Sequence, residues 1–505
     1  MELELEQEVI LCYEMVGQAS ACQEETQESI VPDACPDVLR IADVCAQAFV
    51  SRWEAKEGQA AVYGFIQAAV LYIPELGHSL RKLDMKIPFT AHIELSGLTS
   101  DCVLEVSTRL RCVDSRMLNP RKILLRADLA TEITAFRRKD HAVCTGAFQA
   151  DDEKICQLVS HLNHERIVSV PQRIFPMSEE IRLTGTQGQT VLSCRGECLC
   201  TECRVIGGKL IFKGKTDVIL LLQGEDGGID RRIETFPFSQ ILDAKGTGDS
   251  ASGQVRLELA ELVCRPVEEN GLRLMLEWEV LAQGQIREQE TVSLLTDLYS
   301  TADHVELKEE HLKLFAPGEQ QIQPQTFRDM LETGDVVRAV CDSRFLLGPV
   351  RCFREDSHFV YAAQGQVVIL YLDEERQLRQ IRKDVELSAR VQCSEGSRVQ
   401  YRVHCPGELY AAPCVGGIEV RMNLEFQFWI EAPLVTRIVS GCRLGESRKK
   451  EGPCPSMILR RPDSGESLWD VAKSCGTTRQ RIMQANELSG EEIPEHKMLL
   501  IPGVR

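Results

Sequence analysis

Four cysteines crowd one short stretch of the chain: Cys194, Cys198, Cys200 and Cys203. Thiolates gathered tetrahedrally hold zinc, so a run of this kind is the first place to seek a metal. Structural zinc sites usually pair two close Cys or His doublets, whereas this run spells Cys-x3-Cys-x-Cys-x2-Cys. Cys198 and Cys200 also alternate with Glu197 and Leu199 as strand residues do, which favours thiols packed on a core over a metal. His164-Glu165 lacks the second histidine of a metalloprotease helix. Gly246-Thr247-Gly248-Asp249 lacks the Lys-Ser/Thr that completes a phosphate loop, and reads better as a turn. Carboxylates are abundant, with 76 Asp and Glu against 58 Lys and Arg, and no pair stands out as an acid and its base. The expectation is a protein with no catalytic residues, no metal and no cofactor, acting through surfaces.

The elements that would carry such surfaces are mainly β. At 505 residues the chain exceeds what one hydrophobic core supports, and several domains are expected. A net charge of −18 without a basic run argues against nucleic acid and against an anionic membrane surface. The opening Met1-Glu2-Leu3-Glu4-Leu5-Glu6 has neither the basic start nor the apolar core of a secretion signal. The apolar run from Ala60 to Pro74 is too short to insert in a bilayer. With 21 cysteines in no fixed framework, these features predict free thiols in a reducing cytoplasm.

Laid against itself, the chain repeats. Gly58 to Gly64 aligns with Gly208 to Gly214, and Ile87-Pro88-Phe89 aligns with Phe236-Pro237-Phe238. A fainter third copy places Val367, Ile369 and Tyr371 on Ala68, Val70 and Tyr72. It reads as having lost the glycine and the proline, with Val385-Glu386-Leu387 in place of Ile-Pro-Phe. Alternation such as Leu274, Leu276, Trp278, Val280 and Ile418, Val420, Met422, Leu424 predicts antiparallel strands with one face on a core. Turns at Gly207-Gly208, Asp226-Gly227-Gly228 and Gly416-Gly417 separate them. The predicted fold is three tandem β-sandwich-like repeats, over 1–165, 166–315 and a divergent 316–446, with a short helix at Thr326 to Glu332. A charged, proline-rich linker follows at 447–456, then a small domain at 457–503.

That last domain reads strand, helix, helix, strand. Ile458-Leu459-Arg460 is a strand, Ser467 and Asp470 suit a capping box, Gly476 ends the first helix, Thr478 caps the second, and Leu499 to Pro502 closes. Gly465-Glu466-Ser467-Leu468-Trp469, Val471-Ala472, Gly476-Thr477, Asn486-Glu487-Leu488 and Leu499-Leu500-Ile501-Pro502 closely resemble the LysM family. Glu466 departs from the usual Asp, and His496 stands where a turn glycine is usual. The resemblance implies a shallow groove for N-acetylglucosamine polymers, formed by Gly465, Glu466, Ser467, Leu468 and Trp469 on one side. Asn486, Glu487, Leu488 and Ile493 would form the other. Leu468 and Leu488 are expected to serve the core first, and Trp469 has two readings of equal weight: packing or stacking on a sugar.

Val16-Gly17, Ile30-Val31-Pro32, Cys35-Pro36-Asp37-Val38-Leu39-Arg40-Ile41, Ile87-Pro88-Phe89 and Asn119-Pro120-Arg121-Lys122-Ile123, ahead of a terminal LysM, resemble the SipL family of spore coat morphogenetic proteins, built of SPOCS domains. The resemblance implies a non-enzymatic scaffold for endospore coat assembly, working from the mother-cell cytoplasm at the forespore surface. The implied partner is a stage IV sporulation protein A-like basement ATPase, with the LysM module docking a protein. The alternative is a cell-wall protein binding peptidoglycan glycan. Exposed β edges leave self-association open.

Overall fold

The computed structural model describes residues 3–75, 79–148, 154–183, 189–248, 250–267, 273–355, 358–447, 456–493 and 498–502. Strands dominate. The first comprise β1 (Leu5–Ile30), β2 (Val38–Lys56), β3 (Gln59–Pro74), β4 (Arg81–Glu94), β5 (Val103–Asn119) and β6 (Lys122–Ala147). β2, β3 and β4 form an antiparallel meander, and β1, β6 and β5, one end of a seven-stranded sheet that continues into the next repeat, face it. Between the sheets lie Ile66, Val70, Tyr72, Ile87 and Phe89 from the meander and Leu110, Val113, Ile123, Leu125 and Leu129 from the other side. That is the predicted sandwich.

The arrangement then recurs. Next come β7 (Ile155–Ser169), β8 (Gln172–Arg182), β9 (Thr190–Ile206), β10 (Lys209–Gln223), β11 (Ile229–Asp243), β12 (Ser252–Pro266) and β13 (Arg273–Ser300). Here β9, β10 and β11 are the meander, and β13 pairs with β12 and β8. The third set is β14 (Asp303–Phe315), β15 (Glu319–Glu332), β16 (Val337–Glu355), β17 (His358–Asp373), β18 (Leu378–Gln392), β19 (Arg398–His404), β20 (Tyr410–Cys414), β21 (Gly417–Glu431) and β22 (Pro433–Ser447). Its meander is β16, β17 and β18, and β21 pairs with β15, β19 and β20.

Proline accounts for one extra strand in each of the later sets. β1 runs 26 residues and absorbs a bend as a bulge between Met15 and Gly17. At the matching bends Pro171 and Pro317 remove a ladder donor, so the strand is cut into β7 and β8, and into β14 and β15. Each set thereby gains a two-stranded ribbon: the start of β1 with the end of β6, β7 with the end of β13, and β14 with β22. The three ribbons share one core that includes Ile10, Val143, Val292, Leu294, Leu312 and Ile438. The expected divisions at 165/166 and 315/316 fall inside β7 and at the end of β14.

The meanders also meet on one axis. Ala42, Leu192 and Cys341, and likewise Leu71, Leu221 and Leu370, are repeat-related residues within a single buried cluster. This explains why β3, expected to be half exposed, is buried on both faces over Ala68 to Tyr72. Around the cluster, Arg344 of the third set binds Asp43 of the first with both guanidinium nitrogens (2.9 and 2.6 Å). Arg195 of the second set binds Asp342 of the third in the same way (2.8 and 2.7 Å). Register places Asp43, Ser193 and Asp342 opposite Leu71, Leu221 and Leu370, so these three are equivalent. The third junction would thus join Cys45 to Ser193, and Ser193 Oγ is buried with no hydrogen-bond partner among the described residues. Burial pushes the Asp342 carboxyl up, but Arg195 and Arg344 more than offset this and hold it below the usual range.

Two expectations are corrected. Thr326 to Glu332 is not helical but lies in β15, where backbone pairing to β21 and packing of Phe327 on the core override local propensity. The third copy keeps a glycine, but not at the aligned position. Gly365 pairs with Leu347 as Gly64 pairs with Val50 and Gly214 with Cys200, yet it lies two residues nearer the axis, five before Leu370 where the others lie seven before Leu71 and Leu221. Val385 lies opposite Gly365, while Leu387, opposite Ala363, holds the ladder place of Phe89, and Phe345 supplies the ring beside Gly365 from the other neighbouring strand.

At all three glycines a methyl group would overlap a carbonyl oxygen across the ladder (Phe49, Leu199 and Leu346) and an aromatic ring (Phe89, Phe238 and Phe345). Gly64→Ala, Gly214→Ala and Gly365→Ala should each destabilise the chain by about 1–3 kcal/mol through overpacking. Urea unfolding checks this, and Gly365→Ala is expected to behave like the other two.

Candidate functional site

The C-terminal domain begins with β23 (Met457–Arg460), continues through α1 (Leu468–Cys475) and α2 (Arg479–Asn486), and ends with β24 (Leu499–Pro502), which pairs with β23. Both helices are only eight residues long, so their caps matter. Ser467 and Asp470 form the expected capping box, and this bond holds the Asp470 carboxyl below its usual range. Gly476 closes α1 in the left-handed conformation (φ 63°), and Thr478 caps α2. Leu468, Val471, Ala472, Ile482, Leu499 and Ile501 fill the small core. The linker expected at 447–456 lies, over 448–455, outside the described residues, as does His496.

The nine residues expected to line a groove divide by task. Gly465 makes a turn (φ 85°) and is exposed, as are Ser467 and Glu487. Glu466 accepts a hydrogen bond from Arg460 (2.7 Å) and another from the Asp463 backbone (3.0 Å), fixing the loop before α1 to β23. Asn486 acts as a staple. Its amide donates to the carbonyls of Ile482 (2.8 Å) and Leu500 (2.7 Å), while its oxygen accepts from the Leu500 N–H (2.7 Å). Leu488 and Ile493 pack on the core, half-buried, and Leu468 is fully buried.

Trp469 is 5 % exposed, and what covers it comes from β13. Its indole N–H donates to Asp297 Oδ2 (2.7 Å), and its ring meets Tyr299 edge-on with centroids 4.8 Å apart. Lys473, one helical turn further along α1, donates to both oxygens of Asp297 (2.7 Å each). The Tyr299 hydroxyl donates to the carbonyl of Thr477 (2.7 Å), and the Arg479 guanidinium lies over the indole, 5.1 Å from its centroid. Of the two readings of Trp469, packing is the one realised here, against a different domain. Nothing local in the sequence announced Asp297, Tyr299, Lys473 or Thr477 as partners. A signal existed in the repeat: the ribbons carry a matching bulge at Thr145, Thr296 and Ser440 in turn, and counted from it Asp297 and Tyr299 correspond to Gly146 and Phe148, and to Gly441 and Arg443.

The cysteine run lies on β9 against the core of the second sandwich. Same-face neighbours on a strand are about 7 Å apart, so the thiols are spread along the strand. Cys198 contacts the Thr216 hydroxyl (3.3 Å), and Cys200 donates to the Glu202 carbonyl (3.6 Å). Burial pushes the Cys198 and Cys203 thiols up to about 12, which disfavours the thiolate a metal requires. Among the described residues every cysteine is a free thiol. Gly246, with φ 79°, sits in a turn, and Gly248 N–H donates to Glu288 (2.7 Å). Asp249 lies outside the described residues. His164 is buried beside Glu290 (3.3 Å).

At one end of the first sandwich, Arg121 gathers the motif residues of the sequence. It donates to the carbonyls of Cys35 (2.7 Å) and Val31 (3.0 Å) and to Asp37 (3.0 Å). The family model for the SipL SPOCS domain matches residues 37–118, and the LysM domain model matches residues 463–502. The chain carries a SipL SPOCS domain and a C-terminal LysM domain. Both are binding or scaffold domains without catalytic function. No curated protein and no solved structure matches the chain. Among the described residues no helix is long and apolar enough to cross a membrane.

Asn486→Ala would leave the Leu500 N–H and C=O without partners, a loss of about 2–3 kcal/mol. The Leu500 amide should exchange roughly 30-fold or more faster in the full chain, measured by hydrogen exchange, while amides of β3 keep their protection.

Proposed function

We propose that the chain is a non-enzymatic scaffold in endospore coat assembly, acting at the forespore surface from the mother-cell cytoplasm. Its LysM module serves protein contact, with a stage IV sporulation protein A-like basement ATPase as the partner. One observation carries this reading: in a chain with a SPOCS domain, the indole that would stack on a sugar is hydrogen-bonded to Asp297 and covered by Tyr299. A ring engaged in this way offers no stacking platform, whereas the sandwiches offer wide surfaces. We assign the repeats and the LysM module to the segments expected from the sequence, with joints to be refined near 148–154 and 301–302, where the ribbons change over.

A second reading, binding of peptidoglycan glycan, is supported by the LysM match and by the exposure of Gly465, Ser467 and Glu487 on the expected groove loops. Deleting residues 457–505 separates the two. The scaffold reading expects loss of forespore localisation in sporulating cells, together with no saturable binding of the intact purified chain to peptidoglycan sacculi. Unchanged localisation with saturable sacculus binding would replace it by the glycan reading.

A further inference from the structure

β22 ends on the third ribbon, yet the LysM module packs against the second. The cause is chemical. An extended strand places Asp297 and Tyr299 on one face about 7 Å apart, a carboxylate followed by an aromatic hydroxyl. Against them α1 sets an indole N–H at Trp469 and, four residues on, an ammonium at Lys473; the Thr477 carbonyl follows just past the helix. Every polar group is matched with the right sign: Asp297 accepts from both cationic and neutral donors, and the Tyr299 hydroxyl donates to a carbonyl. At the first ribbon the corresponding pair is Gly146 and Phe148, and at the third it is Gly441 and Arg443. Neither glycine has a side chain to accept from the indole.

We propose that Asp297 and Tyr299 are an intramolecular receptor for the LysM module, a latch that withholds the face bearing Trp469 and Lys473 from outside partners. Opening requires a competitor that offers what β13 offers: an extended chain with a carboxylate two residues before an aromatic side chain. The latch is a property of the intact chain and stands apart from the coat-assembly reading, which localisation tests.

The full chain labelled with 5-fluorotryptophan gives four 19F resonances, one each for Trp53, Trp278, Trp429 and Trp469, and Trp469→Phe assigns the last. Exchange of H2O for D2O shifts the resonance of a solvent-exposed indole. In the wild-type chain Trp469 should show almost no isotope shift. In Asp297→Ala it should approach the full value of an exposed indole, with the other three resonances unmoved. Lys473→Ala, made from the module's side, should act in the same direction, and Asp297→Asn should fall between, since it keeps an acceptor for the indole but loses the charge. A wild-type Trp469 already responsive to solvent, or one still protected in an Asp297→Ala/Tyr299→Ala chain, would overturn the proposal.

Discussion

Two guanidinium–carboxylate pairs, Arg344 with Asp43 and Arg195 with Asp342, close a ring that the rest of the molecule is built around. Both carboxylates and Arg344 are nearly fully buried. An uncompensated charge there is costly, so each pair is stable only while the neighbouring sandwich is in place. The pairs therefore act less as glue than as a register. They permit one mutual placement of the three meanders, which then bury Leu71, Leu221 and Leu370 together. The neutral Cys45 and Ser193 at the third junction show that a single chain need not repeat the device at every step. Gln47 bridges the backbone of Gly196 there instead, donating (2.8 Å) and accepting (3.0 Å).

A second consequence concerns the ribbons. Because the sandwiches are fixed about one axis, their ribbons are gathered as well, and Arg287 reaches across to Glu431 and Gln400 to tie the second set to the third. The gathered ribbons present three different ends. Only the end carrying Asp297 and Tyr299 suits α1 of the LysM module, so a small departure from repetition decides where the module rests. On the proposed scaffold reading, the work of the molecule would lie in surfaces held at fixed mutual positions.

Much of this could be read from the residues. Period-two alternation gave the strands, and the recurrence of Gly64 at Gly214 gave the repeat. The run from Gly465 to Trp469, with Asn486 and the closing Leu-x-Ile-Pro, gave the C-terminal fold, down to its capping box. The failures have physical causes. Thr326 to Glu332 reads locally as a helix, because local propensity does not report a partner strand nearly a hundred residues away. Gly365 escapes the alignment because it stands two residues from the place of Gly64, and only the pairing shows that it too faces a carbonyl across the ladder and an aromatic ring. Asn486 and Glu466, expected at a groove, also hold the domain together through hydrogen bonds that residue type alone does not announce. The contacts of Trp469 depend on an approach between segments 170 residues apart, which no local pattern encodes.

Urea unfolding of Arg344→Met against the wild-type chain tests the ring most directly, followed at once by far-ultraviolet dichroism and by exchange of amides in β3, β10 and β17. The account predicts one shared transition for the wild type. In the variant, Asp43 loses its cation while buried, and the three sets of amides should lose protection together, by about 3–5 kcal/mol. Three separate transitions in the wild type, with β3 and β10 unaffected by the substitution, would contradict the claim that the ring joins the repeats into one cooperative body.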